Sequence, residues 1–228
     1  MADERDPGPE PRISAFGDAA VLASFGDEPD PALTELAAAL AGAVDAERVG
    51  SPTIGRAVPA HASVVVPFDP LLIDAADAIA FVTEAARHAA DRSTAPPTGN
   101  LVEIPVRYGS EDGPDLDEVA DAHGLRPDDV VELHAGARYR VLFLGFAPGF
   151  AYLGGLPPEL ATPRRPSPRE RVPAGSVGIA GAHTGVYPLS MPGGWNLIGR
   201  TDVRLFDPSR PDPAALRPGA TVRFVPAR

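Results

Sequence analysis

A chain of 228 residues that is 44% hydrophobic and 22% charged has the make-up of a soluble globular protein with room for one large or two small domains. It has no cysteine, and all 20 of its basic residues are arginine. This excludes disulfides, thiolate nucleophiles, Cys-ligated metals, a P-loop or Schiff-base lysine, a Ser-Lys catalytic pair and a biotinyl-lysine carried on this chain. The formal charge of −11 argues against non-specific nucleic-acid binding.

That charge is unevenly spread. Residues 1–144 hold 10 Arg and 26 acids, and residues 145–228 hold 10 Arg and 5 acids. An anionic ligand is therefore expected to favour the second part.

In chain order, residues 1–11 are acidic and proline-rich and read as a disordered N-terminus. They lack the basic-then-apolar plan of a signal peptide, and no apolar run approaches the roughly 20 residues a membrane helix needs. The expectation is a cytoplasmic protein with no membrane contact. Residues 12–91 read as an N-terminal α+β domain, a sheet covered by two helices. Strands are predicted at Arg12–Phe16 and Ala20–Phe25, and Leu33, Leu36, Ala37, Leu40 and Val44 follow at helical spacing. A strand through Val64-Val65-Val66 precedes a second helix over 73–90, with Ala75, Ile79, Val82 and Ala86 on one face. The composition of 92–99 is that of a linker.

Residues 100–228 read as a second, β-barrel domain. A strand is predicted at Leu101–Tyr108 and two short helices over Gly113–Leu133. Asp115 caps the first of these, Glu118 stands in capping-box position and Gly124 ends it; Pro127 starts the second. A buried strand follows at Tyr139–Leu144. Residues 145–199 then contain 11 Gly and 9 Pro, which leaves few places for long helices. Short strands are predicted at Ser176–Ala180, Val186–Tyr187, Leu197–Ile198, Val203–Phe206 and Thr221–Val225, in the manner of a barrel or sandwich.

Four motifs fall in this stretch: GFAPGFAYLGGLP (145–157), PRRPSPRERVPAGSVGIAG (163–181), HTGVYPLSMPGGWNLIGRT (183–201) and LFDPSRPDPAALRPGATVRFVP (205–226). With GDAAVLASFGD (17–27), VPAHASVVVPFDP (58–70) and EIPVRYG followed by GPDLDEVA (103–120), they make the chain resemble the KipI-type, allophanate hydrolase subunit 1 or 5-oxoprolinase B-component family over residues 12–226. The resemblance implies an N-terminal α/β domain followed by a cyclophilin-like, all-β barrel. It also implies one component of a heteromeric, ATP-dependent 5-oxoprolinase that opens 5-oxoproline to glutamate and is inactive alone. The implied partners are a C component of allophanate hydrolase subunit 2 type and an A component of LamB/YcsF type. ATP, with Mg²⁺, would be used at the level of the complex, where phosphorylation of the lactam oxygen precedes attack by water. Two alternatives come from the same family: a KipI-like inhibitor of a sensor histidine kinase, and a carboxyltransferase component related to urea carboxylase and allophanate metabolism. The substrate would be a small carboxylate or lactam.

Several residues stand out as chemistry. Arg164, Arg165, Arg169 and Arg171 form a cationic run suited to carboxylates or phosphates. A solvated loop and a salt-bridged contact with an acidic partner remain alternatives. Arg169 and Arg171 adjoin the VPAGS turn, where Pro173, Gly175 and Ser176 read either as an anion nest or as a plain turn into a strand. His183, Tyr187, Asn196 and Arg200 are further polar candidates. Relatives more often carry Gln at the position of His183 and Ser at that of Met191, which weakens any claim that these are essential groups.

Phe146, Pro148, Gly149 and Tyr152 read as one wall of a ligand cleft or as a turn capped by core aromatics. Pro192, Gly193 and Gly194 place Trp195 after an open turn. Trp195 either stacks on a ligand or interface or plugs the barrel end. His134 and His61 have no carboxylates at ligand spacing, so no metal is expected. Ser176 in AGSVG falls one residue short of a nucleophile elbow, and the catalytic residues are unassigned.

Overall fold

The computed structural model describes residues 9–27, 30–91 and 101–227. The expected linker 92–99 and residues 1–8 of the expected disordered tail lie outside them. The chain divides into two compact units, 1–95 and 96–228.

The first unit runs β1 (Arg12–Ala15), β2 (Ala20–Ser24), α1 (Pro31–Glu47), β3 (Val58–Pro59), β4 (Ser63–Pro67) and α2 (Ala75–Asp91). The strands form an antiparallel sheet in the order β1-β2-β4-β3. Period-two alternation puts Val21 and Ala23 of β2 and Val64 and Val66 of β4 on one buried face. Both helices pack into the core behind that face. Asp30 caps α1 by accepting from the Ala32 amide at 2.7 Å. The buried stripe of α2 is Ala78, Val82 and Ala85, with Ala75, Ile79 and Ala86 only flanking it. Periodicity alone does not separate these neighbouring stripes; the small alanines face the sheet because they allow close approach.

The second unit runs β5 (Leu101–Tyr108), α3 (Leu116–His123), α4 (Pro127–Gly136), β6 (Tyr139–Leu144), β7 (Ala151–Gly154), β8 (Arg169–Val172), β9 (Ser176–Ala180), β10 (His183–Val186), β11 (Met191–Gly193), β12 (Asn196–Arg200) and β13 (Thr221–Pro226). Seven strands close into a barrel in the order β10-β7-β6-β13-β5-β12-β9, and β8 and β11 form a separate ribbon. The β5–β13 pair is parallel, joining the two ends of the unit from Leu101 to Pro226. α3 and α4 make the unit a barrel with two helices rather than an all-β domain. Gly124 ends α3 in the left-handed conformation, as its freedom from a Cβ allows. The strand expected at Val203–Phe206 is not a ladder strand. Its backbone meets the 213–215 loop instead, through the Phe206–Ala214 bridge and the Ala215 amide to the Leu205 carbonyl, while Leu205 sinks into the barrel core.

A polar chain crosses that apolar interior. Thr184 Oγ1 donates to the Gly178 carbonyl (3.0 Å), so it accepts from His134 Nε2–H (2.9 Å). His134 Nδ1 is then the acceptor for the Tyr108 hydroxyl (2.8 Å). The imidazole stacks on Phe224 at 4.6 Å and is fully buried. Burial pushes its pKa down from 6.5 to about 3. The unfolded chain binds the extra proton between those values. The contribution of neutral His134 is therefore complete above pH 6.5 and is lost by about 1.4 kcal/mol per pH unit as pH falls toward the folded value. Urea unfolding of the wild type and of His134→Gln between roughly pH 7 and pH 4 is expected to give a stability curve flatter by about one proton for the variant; equal slopes would contradict this account.

Candidate functional site

Strands β9, β10 and β12 are buried along nearly their whole length, because they are covered on both faces. Val177, Ile179, Val186 and Ile198 point into the barrel. Behind β9 and β12, Ala180 and Leu197 join Phe150, Val172, Tyr187 and Trp195 in a second apolar cluster. Phe150 makes edge-to-face contacts with Tyr152, Tyr187 and Trp195 at ring separations of 5.1–5.3 Å. This small core lies under the Gly/Pro-rich motifs and explains much of their composition.

Trp195 is therefore packed, 5% exposed, and not presented after an open turn. Gly193 lies in β11, where a Cβ would come within 2.3 Å of the Tyr187 hydroxyl oxygen. Gly194 offers its carbonyl to the Arg165 amide (2.8 Å), and Pro192 is exposed on β11. Pro148 and Gly149 form the expected tight turn, with Gly149 at φ +79° and the Phe150 amide donating to the Ala147 carbonyl at 3.0 Å. Tyr152 is half-buried, stacked on Phe143 at 4.5 Å and edge-on to His183 at 6.3 Å. Phe146 is set edge-on to Phe150 at 5.5 Å. It is 62% exposed, and its φ of +66° with the Ala147 amide donating to the Gly145 carbonyl (2.7 Å) makes a strained three-residue turn.

The arginine run is divided by one carboxylate. Asp115 is 1% exposed. Its Oδ1 accepts from Arg165 (2.8 Å) and Arg169 (2.6 Å), and its Oδ2 accepts from the Leu197 amide (2.6 Å). The Asp115 amide donates in turn to the Leu197 carbonyl (2.9 Å). The segment comes this close to β12 because position 113 is glycine: a Cβ there would lie 2.1 Å from the Ile198 carbonyl oxygen. Asp115 stands at the N-cap of α3 but makes no capping bond, and Glu118 reaches Arg165 (3.2 Å) instead of closing a capping box.

Arg169 is thus part of an internal clasp through Nη2, while its buried Nη1 has no partner among the described residues. Arg171 is exposed and donates to Ser190 Oγ (3.0 Å). Asp115 was legible only as a helix cap, because its partners lie some 50 residues or more further along the chain.

The VPAGS turn supplies no anion nest from its glycine and serine. The Gly175 amide donates to the Tyr187 carbonyl (2.7 Å) and that of Ser176 to the Pro173 carbonyl (3.3 Å). Gly175 is needed for close approach, since a Cβ would meet the Thr201 carbonyl oxygen at 2.1 Å. Ser176 is buried at the start of β9. Asn196 Nδ2 donates to the Pro163 carbonyl (2.8 Å), which ties the arginine loop to β12. Arg200 is half-buried opposite Ser176 and Arg107, with its buried Nε unpaired among the described residues.

Tyr187 is buried, and desolvation raises its hydroxyl pKa against the opposing effects of a Trp195 backbone hydrogen bond and of Arg164 and Arg169. Phe146 and Arg164 are exposed, and Tyr152 is half-buried beside the buried His183. An open groove lined by Asp129, Glu132, Leu133, Gly136, Ala137 and Pro157 is acidic and ill suited to an anion. Among the described residues, no group of three or more His, Cys, Asp or Glu side chains could hold a metal ion, and no helix is long and apolar enough to cross a membrane.

Breaking the clasp at its centre removes the buried counter-charge of two partly buried guanidiniums and leaves Arg165 only the exposed Glu118. Asp115→Asn is expected to destabilise the second unit by about 3 kcal/mol, measured by urea unfolding, whereas Arg171→Ala is expected to change stability by less than about 0.5 kcal/mol. Equal effects of the two substitutions would remove Asp115 from its central position.

A family model described as carboxyltransferase domain, subdomain C and D, matches residues 11–216. A Bacillus subtilis (strain 168) protein named as the B component of 5-oxoprolinase is 40% identical over 231 residues, covering 94% of this chain and 92% of that protein. An Escherichia coli O157:H7 protein of the same name is 60% identical over 132 residues, or 58% of this chain, and the match spans only 61% of that relative's length. A crystal structure of Kluyveromyces lactis urea carboxylase matches with a TM-score of 0.76 over 100% of this chain and 23% of that one; at 21% identity the likeness is one of fold alone. The chain belongs to the carboxyltransferase domain, subdomain C and D, family, and among its relatives are proteins named as the B component of 5-oxoprolinase.

Proposed function

We propose that the chain is the B component of a heteromeric 5-oxoprolinase, contributing to ATP-dependent opening of the 5-oxoproline lactam to glutamate, and that its barrel is of the cyclophilin type. The observation that carries this reading is the near-full-length match to the Bacillus subtilis relative of that name. The partners would be one protein of the allophanate hydrolase subunit 2 type and one of the LamB/YcsF type.

Among the described residues, the arginines and turn amides do not assemble a triphosphate cradle. Arg165 and Arg169 each donate to Asp115, and the Gly175 and Ser176 amides are engaged by carbonyls. No lysine is available. ATP and its Mg²⁺ would be used at the level of the complex. What this chain offers is a rigid aromatic cluster and a cationic loop, one side of a shared site.

The reading is tested by reconstitution. Glutamate formation from 5-oxoproline is expected only when ATP, this chain and both partner proteins are present together. Full ATP-coupled activity from the purified chain alone would overturn the dependence on partners, and no activity in any combination would overturn the assignment.

A further inference from the structure

We propose that the paired guanidiniums of Arg165 and Arg169 bind the carboxylate of a small monobasic acid at the outer side of the clasp. The choice of acid rests on the 5-oxoprolinase reading, which would bring the 5-oxoproline carboxylate here. The two side chains meet at a single oxygen: Arg165 Nη1 lies 2.8 Å and Arg169 Nη2 2.6 Å from Asp115 Oδ1. Two cations are thus close neighbours around one buried carboxylate. The other acid that pairs with them among the described residues is Glu118, 3.2 Å from the same Arg165 nitrogen and exposed, so its charge is screened by solvent. The cluster keeps a surplus of up to one positive charge.

Each guanidinium has three nitrogens and uses one of them. Arg165 Nε and Arg169 Nη1 are buried with no acceptor among the described residues, while Arg165 Nη2 and Arg169 Nε are neither bonded there nor buried. The side chains are 29% and 26% exposed, so solvent reaches each guanidinium at its outward nitrogen. A tie made for stability alone would give each arginine a carboxylate of its own, because charge and buried donors without a partner are costly. An incoming carboxylate balances the surplus charge and accepts from the outward nitrogens, one oxygen to each guanidinium.

Both arginines are held before anything binds. The Arg165 amide donates to the Gly194 carbonyl and Asn196 Nδ2 to the Pro163 carbonyl, both at 2.8 Å. Arg169 stands opposite Gly193 in the β8–β11 ribbon. Their side chains are fixed by Asp115, which is itself held by the Leu197 amide at 2.6 Å. Donors fixed at both backbone and side chain lose little freedom on meeting an anion. A surplus of at most one charge suits a monocarboxylate, whereas a phosphate dianion would face Asp115 and Glu118 with too little cation to offset them.

Lysine substitution separates a binding role from a structural one. An ammonium can keep the single contact with Asp115, but it brings none of the fork's other donors. The full chain is titrated by calorimetry with L-5-oxoproline, cyclopentanecarboxylate, 2-pyrrolidinone and inorganic phosphate. Saturable binding is expected for the two carboxylates, with 2-pyrrolidinone and phosphate weaker by roughly ten- to a hundredfold. Arg165→Lys and Arg169→Lys are expected to weaken carboxylate binding by a similar factor while keeping cooperative thermal unfolding. Glu118→Gln, at an exposed position, is expected to strengthen it by about two- to fivefold, and it decides alone if the lysine variants do not fold. Equal binding of 2-pyrrolidinone and 5-oxoproline, lysine variants that bind like the wild type, phosphate binding as tight as the carboxylates, unchanged or weaker binding by Glu118→Gln, or no binding by any carboxylate would overturn the site. Arg169-dependent binding of cyclopentanecarboxylate without binding of 5-oxoproline would uphold the site and count against the 5-oxoprolinase reading. A reconstituted complex carrying Arg169→Lys with undiminished kcat/KM for 5-oxoproline would overturn the site and leave that reading standing.

Discussion

The second unit depends on one buried carboxylate. Asp115 holds the entrance of α3 against β12 through a two-way pairing with Leu197, and holds the arginine loop through Arg165 and Arg169. Burying a carboxylate costs several kcal/mol, and two guanidiniums with a backbone amide offset that cost only in a narrow geometry. The consequence is positional: three segments distant in sequence meet at one point, and a loop rich in proline and arginine acquires a defined course. That course decides which arginines are internal ties and which, Arg164 and Arg171, stay in solvent.

Around this clasp, β9, β10 and β12 separate two apolar interiors. The barrel core tolerates its one polar crossing because every group from Tyr108 through His134 and Thr184 to the Gly178 carbonyl has a partner in a single direction. The aromatic core outside it is small and is sealed by segments that carry no long helix. Glycines make that seal possible: Gly175 and Gly193 sit where a methyl group would strike the Thr201 carbonyl and the Tyr187 hydroxyl. Residues that read in sequence as a flexible, ligand-facing turn are thus largely close-packing positions, while Arg164 and Phe146 stay in solvent.

Much of the secondary structure was legible because it obeys local rules. β5 and β6 begin and end where their patterns predict, and the helices at 116–123 and 127–136 are separated by a glycine stop and a proline start. Local rules failed where a side chain serves a distant partner. Asp115 and Glu118 have the spacing of a capping box, yet both reach arginines that no local pattern names. The Val203–Phe206 segment has strand alternation, but its backbone pairs with a loop, so Leu205 is buried without a ladder. His134 has no carboxylate at ligand spacing in the sequence, and its burial follows from the packing of α4 on the barrel, where its ring stacks on Phe224 of β13.

By itself the sequence determined the chemistry that is absent, the two-part organisation and the motif set shared with its relatives, since these depend on residue type and order. It also determined that the cationic residues gather in the second part. Only the tertiary structure decided which of those charges are available. The acids that pair with Arg165 and Arg169 come from the acidic first 144 residues, so the apparent excess of positive charge after residue 145 shrinks once the chain is folded. Charge counted along a chain adds up by position, whereas charge presented to a ligand depends on which groups lie within hydrogen-bonding distance.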